Sequence, residues 1–213
     1  MTKNIVFDFG EVLFSWNPPA LIRQFFPELA TSDEAAVTLG KHIFGHPDWL
    51  SFDQGLLSLE QIMAQTTARL GLPPAGVQAL MAHQGERLQP IAGNVALLRQ
   101  LAAKRDAALK SGQTPPLRLY FLSNMPAPYS RVLEQRHDFI GWFDGGVFSG
   151  DALLVKPDPT IYQLLQTRYA LDPAHTVFID DSATNAQAAS ALGWTGLHLP
   201  SPDGLSTLLA AYL

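Results

Sequence analysis

The chain has 213 residues, 47% hydrophobic and 15% charged, enough to bury a full core and too apolar for a disordered protein. A net charge of −5 without any Lys/Arg cluster argues against a nucleic-acid footprint or an anionic membrane surface as partner. There is no cysteine, so neither a disulfide framework nor thiolate chemistry is available.

The opening MTKNIVFDFG runs directly into a core strand. Ile5, Val6 and Phe7 are strong β formers, and Asp8 and Gly10 follow. An apolar run that ends in a carboxylate and a glycine reads as a buried parallel strand delivering a side chain to its C-terminal edge. In open α/β sheets ligands bind at that edge. Taken alone, Asp8 reads equally well as a turn or helix-cap acid. The opening carries no signal-peptide apolar segment and no basic transit helix, and no apolar run approaches membrane length, so a cytoplasmic protein is expected.

From Phe14 to Arg87 the pattern is helical. Asn17 before Pro18 starts one helix, with Leu21, Ile22, Phe25 and Phe26 on one face. Thr31 and Glu34 have the spacing of a capping box for a helix running to Phe44. Ser58 and Gln61 form a second box, before Leu59, Ile62, Met63, Thr66 and Leu70 at helical spacing; Gly71 and Pro73-Pro74 end that helix. A further helix is expected over about 75–87. Asp53-Gln54-Gly55 reads as a polar turn, and as the specificity loop. Trp16, Phe44, Trp49 and Phe52 read as helical core before substrate surface. His42 and His46 stand four apart, but without an intervening Glu motif and with Gly45 beside them they do not read as a metal pair.

Strand and helix then alternate. Asn94 reads as the cap of a helix to about Lys110, and SGQTPP as a surface loop. Strands are expected near 117–122, 146–148, 176–179 and 196–199. Asp158-Pro159 opens one intervening helix, and Asn185 to Leu192, ended by Gly193, forms another. This rhythm predicts an α/β fold, a doubly wound parallel sheet, with a helical insert between its first two strands. No internal repeat or low-complexity tract interrupts it.

Three of these strands end in polar residues: Asp8, then Ser123-Asn124, then Asp180-Asp181, with Lys156 before a helix in between. Singly, a Lys-Pro is usually a solvated loop and an Asp-Asp before a helix a cap pair. In this order they resemble the four motifs of the haloacid dehalogenase-like (HAD) hydrolase superfamily, over nearly the whole chain. The resemblance implies a Rossmann-like core of residues 1–13 and 88–213, with residues 14–87 as a small helical cap over the active site. It implies a Mg²⁺-dependent phosphatase acting on a small phosphorylated metabolite through an aspartyl-phosphate. Asp8 is then the nucleophile, Ser123 and Asn124 bind phosphate, and Lys156 balances charge. The metal ligands implied are Asp8, the Gly10 carbonyl and Asp181, with Asp180 orienting Asp181 or a metal-bound water, while Asn185 holds the motif together. The expected partner is a small-molecule phosphate ester, with no nucleic acid and no membrane, for a monomer or homodimer.

One position departs from the pattern. HAD phosphatases generally carry a second Asp two residues after the nucleophile, which protonates the leaving oxygen; here that position is Gly10. Such an acid contributes roughly 10²–10⁴-fold. Glu11, one position further, need not point inward. A phosphatase whose leaving group needs little protonation accommodates the glycine, and a sugar phosphate, in particular a sugar 1-phosphate, qualifies; FDFGEVL also resembles the α-glucose-1-phosphate phosphatase branch. A 2-haloacid dehalogenase lacks the second Asp too, but Asp180-Asp181 counts against it. A phosphonoacetaldehyde-hydrolase-like C–P hydrolase needs a cap lysine as Schiff base, and Lys41 is the one available. A non-catalytic HAD-like binding protein would lose the polar set piecemeal, and here one position differs.

Overall fold

The computed structural model describes residues 2–210 and 212. Five parallel strands form one sheet: β1 (Lys3–Phe7), β2 (Leu117–Ser123), β3 (Gly145–Phe148), β4 (Thr176–Asp180) and β5 (Thr195–His198), in the order β3-β2-β1-β4-β5. β1 is central and pairs with β2 and β4, Phe7 lying beside Phe121 on one side and Ile179 on the other. Its alternation splits the core. Ile5 and Phe7 join Leu119, Phe121, Val177 and Ile179 on one face, while Val6 joins Tyr120, Leu122 and Phe178 on the other.

The first face is covered by α7 (Ala92–Lys110) through Leu98, Leu101 and Ala102. The second is covered by α10 (Pro159–Tyr169) and α11 (Ala183–Ala191), with Ile161, Tyr162, Leu165 and Ala189 fully buried. Helices on both faces make the sheet doubly wound, as the alternation predicts. The chain passes from β1 to β2 and β3 on one side, then crosses to β4 on the other. That reversal opens a crevice beyond the carboxyl ends of β1 and β4.

Between β1 and α7 lie six helices: α1 (Pro18–Phe25), α2 (Asp33–Phe44), α3 (Pro47–Asp53), α4 (Leu59–Leu70), α5 (Pro74–Met81) and α6 (Gln84–Arg87). The Asn17 carboxamide caps α1, and Ser58 and Gln61 form the reciprocal box that opens α4, which ends at Gly71 with φ 63°. The start of α2 differs from expectation: the Ser32 hydroxyl, not Thr31, accepts the Ala35 N–H. The helix expected over 75–87 breaks into α5 and α6, and α3 is an additional short helix whose last residue, Asp53, leads into the expected turn at Gln54-Gly55. His46 caps α3 through Nδ1.

Insert and core meet in two places. At the root the two connecting strands of chain run side by side, with Ser15 N–H donating to Gln89 O (2.9 Å) and Ile91 N–H to Leu13 O (2.8 Å). Asn94 does not cap α7. Its amide lies inside the first turn and donates to Val12 O (2.7 Å) and Pro202 O (3.1 Å), which anchors the turn after β1. At the far side, α8 (Ala127–Arg136) and α9 (Ser149–Ala152) receive the insert. Tyr129 Oη donates to Met81 O (2.7 Å), Ser149 Oγ donates to Asp53 O, and Gln54 Nε2 donates to Leu153 O (2.9 Å). The insert is therefore held down over the crevice.

Candidate active site

Three strand ends converge on the crevice. Asp8 follows β1, Ser123 closes β2 and Asp180 closes β4, all buried. The Asp8 N–H still continues the ladder to Ile179 O (2.9 Å), which fixes the backbone just where its side chain turns into the crevice. Lys156 enters from the loop before α10 with its side chain 1% exposed, and its ammonium lies 2.8 Å from Asp8 Oδ1 and 2.6 Å from Asp180 Oδ2. The contact to Asp180 is a hydrogen bond, whereas that to Asp8 is an ion pair that leaves Oδ1 buried without a hydrogen-bond donor.

Each neighbour of this triad is itself held. Asn185 Nδ2 donates to both Asp180 oxygens (3.0 and 3.1 Å) and the Ser182 N–H donates to Oδ1 (2.8 Å), so Asp180 is fully engaged by protein. The Asn124 carboxamide clamps the Lys156 backbone at both ends, accepting its N–H (2.8 Å) and donating to its carbonyl (3.0 Å). Anything Asn124 offers a ligand therefore comes from its main chain. The Ser123 hydroxyl is buried and has no hydrogen-bond partner among the described residues. Glu11, at φ 50°, accepts the Trp16 N–H and does not enter the cavity wall.

Electrostatics follow from burial. Asp8 is pushed up to about 7 by loss of water; the Lys156 charge opposes this, while Asp180 and Asp181 add to it. Asp181 is raised to about 6 by desolvation and then by Asp180. Burial works against the Lys156 charge, but Asp180 and Asp8 outweigh it and hold the ammonium above the ordinary lysine range. Three carboxylates around one lysine leave an excess of negative charge. Oxygens of Asp8, Asp180 and Asp181 lie within 4.8 Å of one another, and a hard divalent cation suits that donor set. The negative excess and the raised carboxyl groups fit a cation bound there; with Asp180 engaged by protein, Asp8 and Asp181 are the side chains that would hold it. Gly10 lines the same cavity, where its carbonyl could join them.

The cavity above the triad measures about 390 Å³. Asp8, Ser123, Lys156 and Asp181 form its floor, while Trp16, Phe44, Trp49 and Asp53 line it from the insert. Three of the four aromatics read as helical core thus face the cavity, stacked edge to face on one another: Trp16 to Phe44 at 5.1 Å and Phe44 to Trp49 at 4.7 Å. Phe52 is the one that packs inward, against Trp49 and Tyr129. Phe14, Leu88, Met125 and Tyr129 complete the apolar walls, and Gln84 adds a carboxamide already donating to Leu80 O. Sequence reasoning missed this second group, because only the closure of insert on core brings it together. Lys41 is exposed on α2 and lies outside the cavity lining, so no insert amine reaches the site.

A doubly wound sheet with a strand-end carboxylate, a buried lysine and a helical insert above them has the arrangement of a hydrolase. The chain belongs to the haloacid dehalogenase-like hydrolase family, whose model matches residues 2–193. It is 30% identical over 207 residues to the sesquiterpene phosphatase astK of Aspergillus oryzae, covering 97% of this chain and 93% of that one. Among solved structures, the HAD family enzyme BT-2542 of Bacteroides thetaiotaomicron superposes with a TM-score of 0.72 at 20% identity, covering 98% of each chain. That enzyme has also been crystallised with magnesium and inorganic phosphate. The L-2-haloacid dehalogenase of Xanthobacter autotrophicus, with chloropropionic acid covalently bound, superposes with a TM-score of 0.67 at 21% identity, over 99% of this chain and 83% of that one. Among the described residues no helix is long and apolar enough to cross a membrane.

Proposed function

We propose that the protein is a Mg²⁺-dependent phosphomonoesterase with Asp8 as nucleophile and helices α1–α6 as its cap. The observation that carries this reading is the Asp8 carboxyl at the cavity floor, ion-paired to Lys156 and beside the unpartnered Ser123 hydroxyl. A phosphate seated there receives the Ser123 hydroxyl and faces the Lys156 ammonium, while Asp8 forms the new bond to phosphorus in line with the departing oxygen. Mg²⁺ held by Asp8, Asp181 and the Gly10 carbonyl would neutralise the repulsion between carboxylate and phosphate. Asp180 keeps Lys156 charged and positioned. The Asp181 carboxylate and the shared cation site favour phosphoryl over halide chemistry, and the outward placement of Lys41 removes support for a Schiff base.

The organic part of the ester is best matched by an apolar group. A sugar phosphate, the expectation from Gly10 alone, needs several hydrogen-bonding partners, and above the floor the cap offers it Trp16, Phe44 and Trp49 with only Asp53 and Gln84 as polar company. The relative named as a sesquiterpene phosphatase supports the same direction. A phosphate-release screen tests both levels, comparing farnesyl phosphate with sugar 1- and 6-phosphates, with and without Mg²⁺. Higher kcat/KM on the sugar esters overturns the apolar assignment; release that persists in Asp8→Asn overturns the mechanism.

A further inference from the structure

We infer that Asp53, on the cap, is the proton donor to the leaving oxygen and so replaces the acid that Gly10 lacks. The inference rests on the phosphomonoesterase reading of the site. Of the titratable side chains lining the cavity, Asp8, Lys156 and Asp181 are committed to nucleophile, charge balance and metal, and the Tyr129 hydroxyl donates to Met81 O. Glu11 is tied to the Trp16 N–H. Asp53 remains, and among the described residues no hydrogen bond or ion pair holds its carboxyl.

Its position suits the task. In-line displacement sends the leaving oxygen away from Asp8, which here means towards the cap. Asp53 ends α3, the helix that also carries Trp49 in the wall for the organic group. Its main chain is fixed from the core side by Ser149 Oγ, and the next residue, Gln54, is tied to Leu153 O. Burial pushes the Asp53 carboxyl up to about 8, with Lys156 opposing and Asp8 adding, so it holds a proton at neutral pH.

The steps balance. As the Asp8 oxygen bonds to phosphorus and the ester P–O bond breaks, the Asp53 proton passes to the departing alkoxide, which leaves as alcohol. Asp53 is then a carboxylate. It takes a proton from water as the water oxygen bonds to phosphorus and the Asp8–phosphorus bond breaks, releasing phosphate and restoring both groups.

Rapid-mixing kinetics of Asp53→Asn on two esters test the assignment: p-nitrophenyl phosphate, whose leaving group needs no proton, and decyl phosphate, whose leaving group does. First-turnover nitrophenolate release should stay within about threefold of wild type, and decanol release should fall by ~10²-fold, the low end for a general acid. Nitrophenolate should appear as a burst of one enzyme equivalent before a slow steady state, because water then lacks its base. An equal loss on both esters, or no loss on decyl phosphate, overturns the assignment. The ratio of the two rates is independent of the folded fraction, and Asp53→Ser serves if the amide does not fold. Wild-type enzyme that releases phosphate from neither ester would instead overturn the phosphatase reading, and this inference with it.

Discussion

Lys156 donates to Asp180 Oδ2 at 2.6 Å, and both side chains are sealed from solvent. A buried pair of this kind contributes little net stability as a pair, but removing one partner strands the other. Lys156→Met should therefore cost ~3–5 kcal/mol in denaturant unfolding, since Asp8 and Asp180 lose their one cation. Asp8→Asn removes a charge instead of stranding one, and should leave the fold intact while abolishing turnover. A Lys156→Met protein as stable as wild type would show that the two carboxyl groups do not depend on the ammonium.

The division of labour between Asp180 and Asp181 predicts different metal phenotypes. Asp181→Ala removes a proposed ligand that, among the described residues, makes no side-chain hydrogen bond or ion pair, and it should weaken Mg²⁺ binding more severely than a change at the supporting Asn185. Asn185→Ala releases both Asp180 oxygens without touching the proposed ligands and should cost about 10–100-fold in affinity, the usual effect of a supporting partner. Isothermal titration with Mg²⁺ reads both. Wild-type affinity in Asp181→Ala would remove that residue from the metal site.

Asp53 makes stability depend on pH in a stated direction. Its folded value of about 8 lies above the ordinary 3.8, so the native state binds this proton more tightly than the unfolded chain does. The resulting stabilisation is complete below about pH 4 and is lost as pH rises to about 8. Asp53→Asn cannot ionise and escapes that loss. In metal-free protein the melting temperature of Asp53→Asn should match wild type near pH 4 and exceed it by a margin that grows up to pH 8. A constant margin across that range would mean that the carboxyl is not held protonated. Lys156, Asp8 and Tyr129 face the same group, so the comparison is made at each pH against wild type with all three in place.

What was legible in the sequence was what local chemistry dictates. β1, β2 and β4 are apolar runs buried on both faces that end in polar residues, and the register of those strands then brings the polar ends to one edge. Lys156 was visible only through its place in the series, because a Lys-Pro pair is ordinarily solvated. Asn94 was misread because its side chain spends itself on Val12 O, 82 positions away, and not on the helix it sits in. The turn after Asp53 is where the sequence places it, but its place on the cavity wall is not legible, because the Asp53 carbonyl is held by Ser149 and Gln54 by Leu153, roughly a hundred positions on, which no local pattern encodes. Trp16, Phe44 and Trp49 pack on one another as core aromatics do, and their cavity edges exist only once the cap is closed.

Gly10 supplies the last prediction. A Cβ built there meets no heavy atom within 4 Å, and its φ is not in the left-handed region, so nothing in the backbone demands glycine. Gly10→Asp should therefore fold, keeping the carbonyl available to a metal while adding a carboxyl beside the leaving oxygen. With Asp53 in place the new acid is redundant, and decyl phosphate turnover should change by less than about threefold. In the Asp53→Asn background it supplies the missing proton, and first-turnover decanol release should recover by at least ~10-fold of the ~10²-fold lost. Such a rescue has the non-additivity expected of two groups that serve one step. If Gly10→Asp accelerates decyl phosphate equally in both backgrounds, the two carboxyl groups act independently and Asp53 is not the acid. Thermal melting of each variant separates a failure to fold from a failure to rescue.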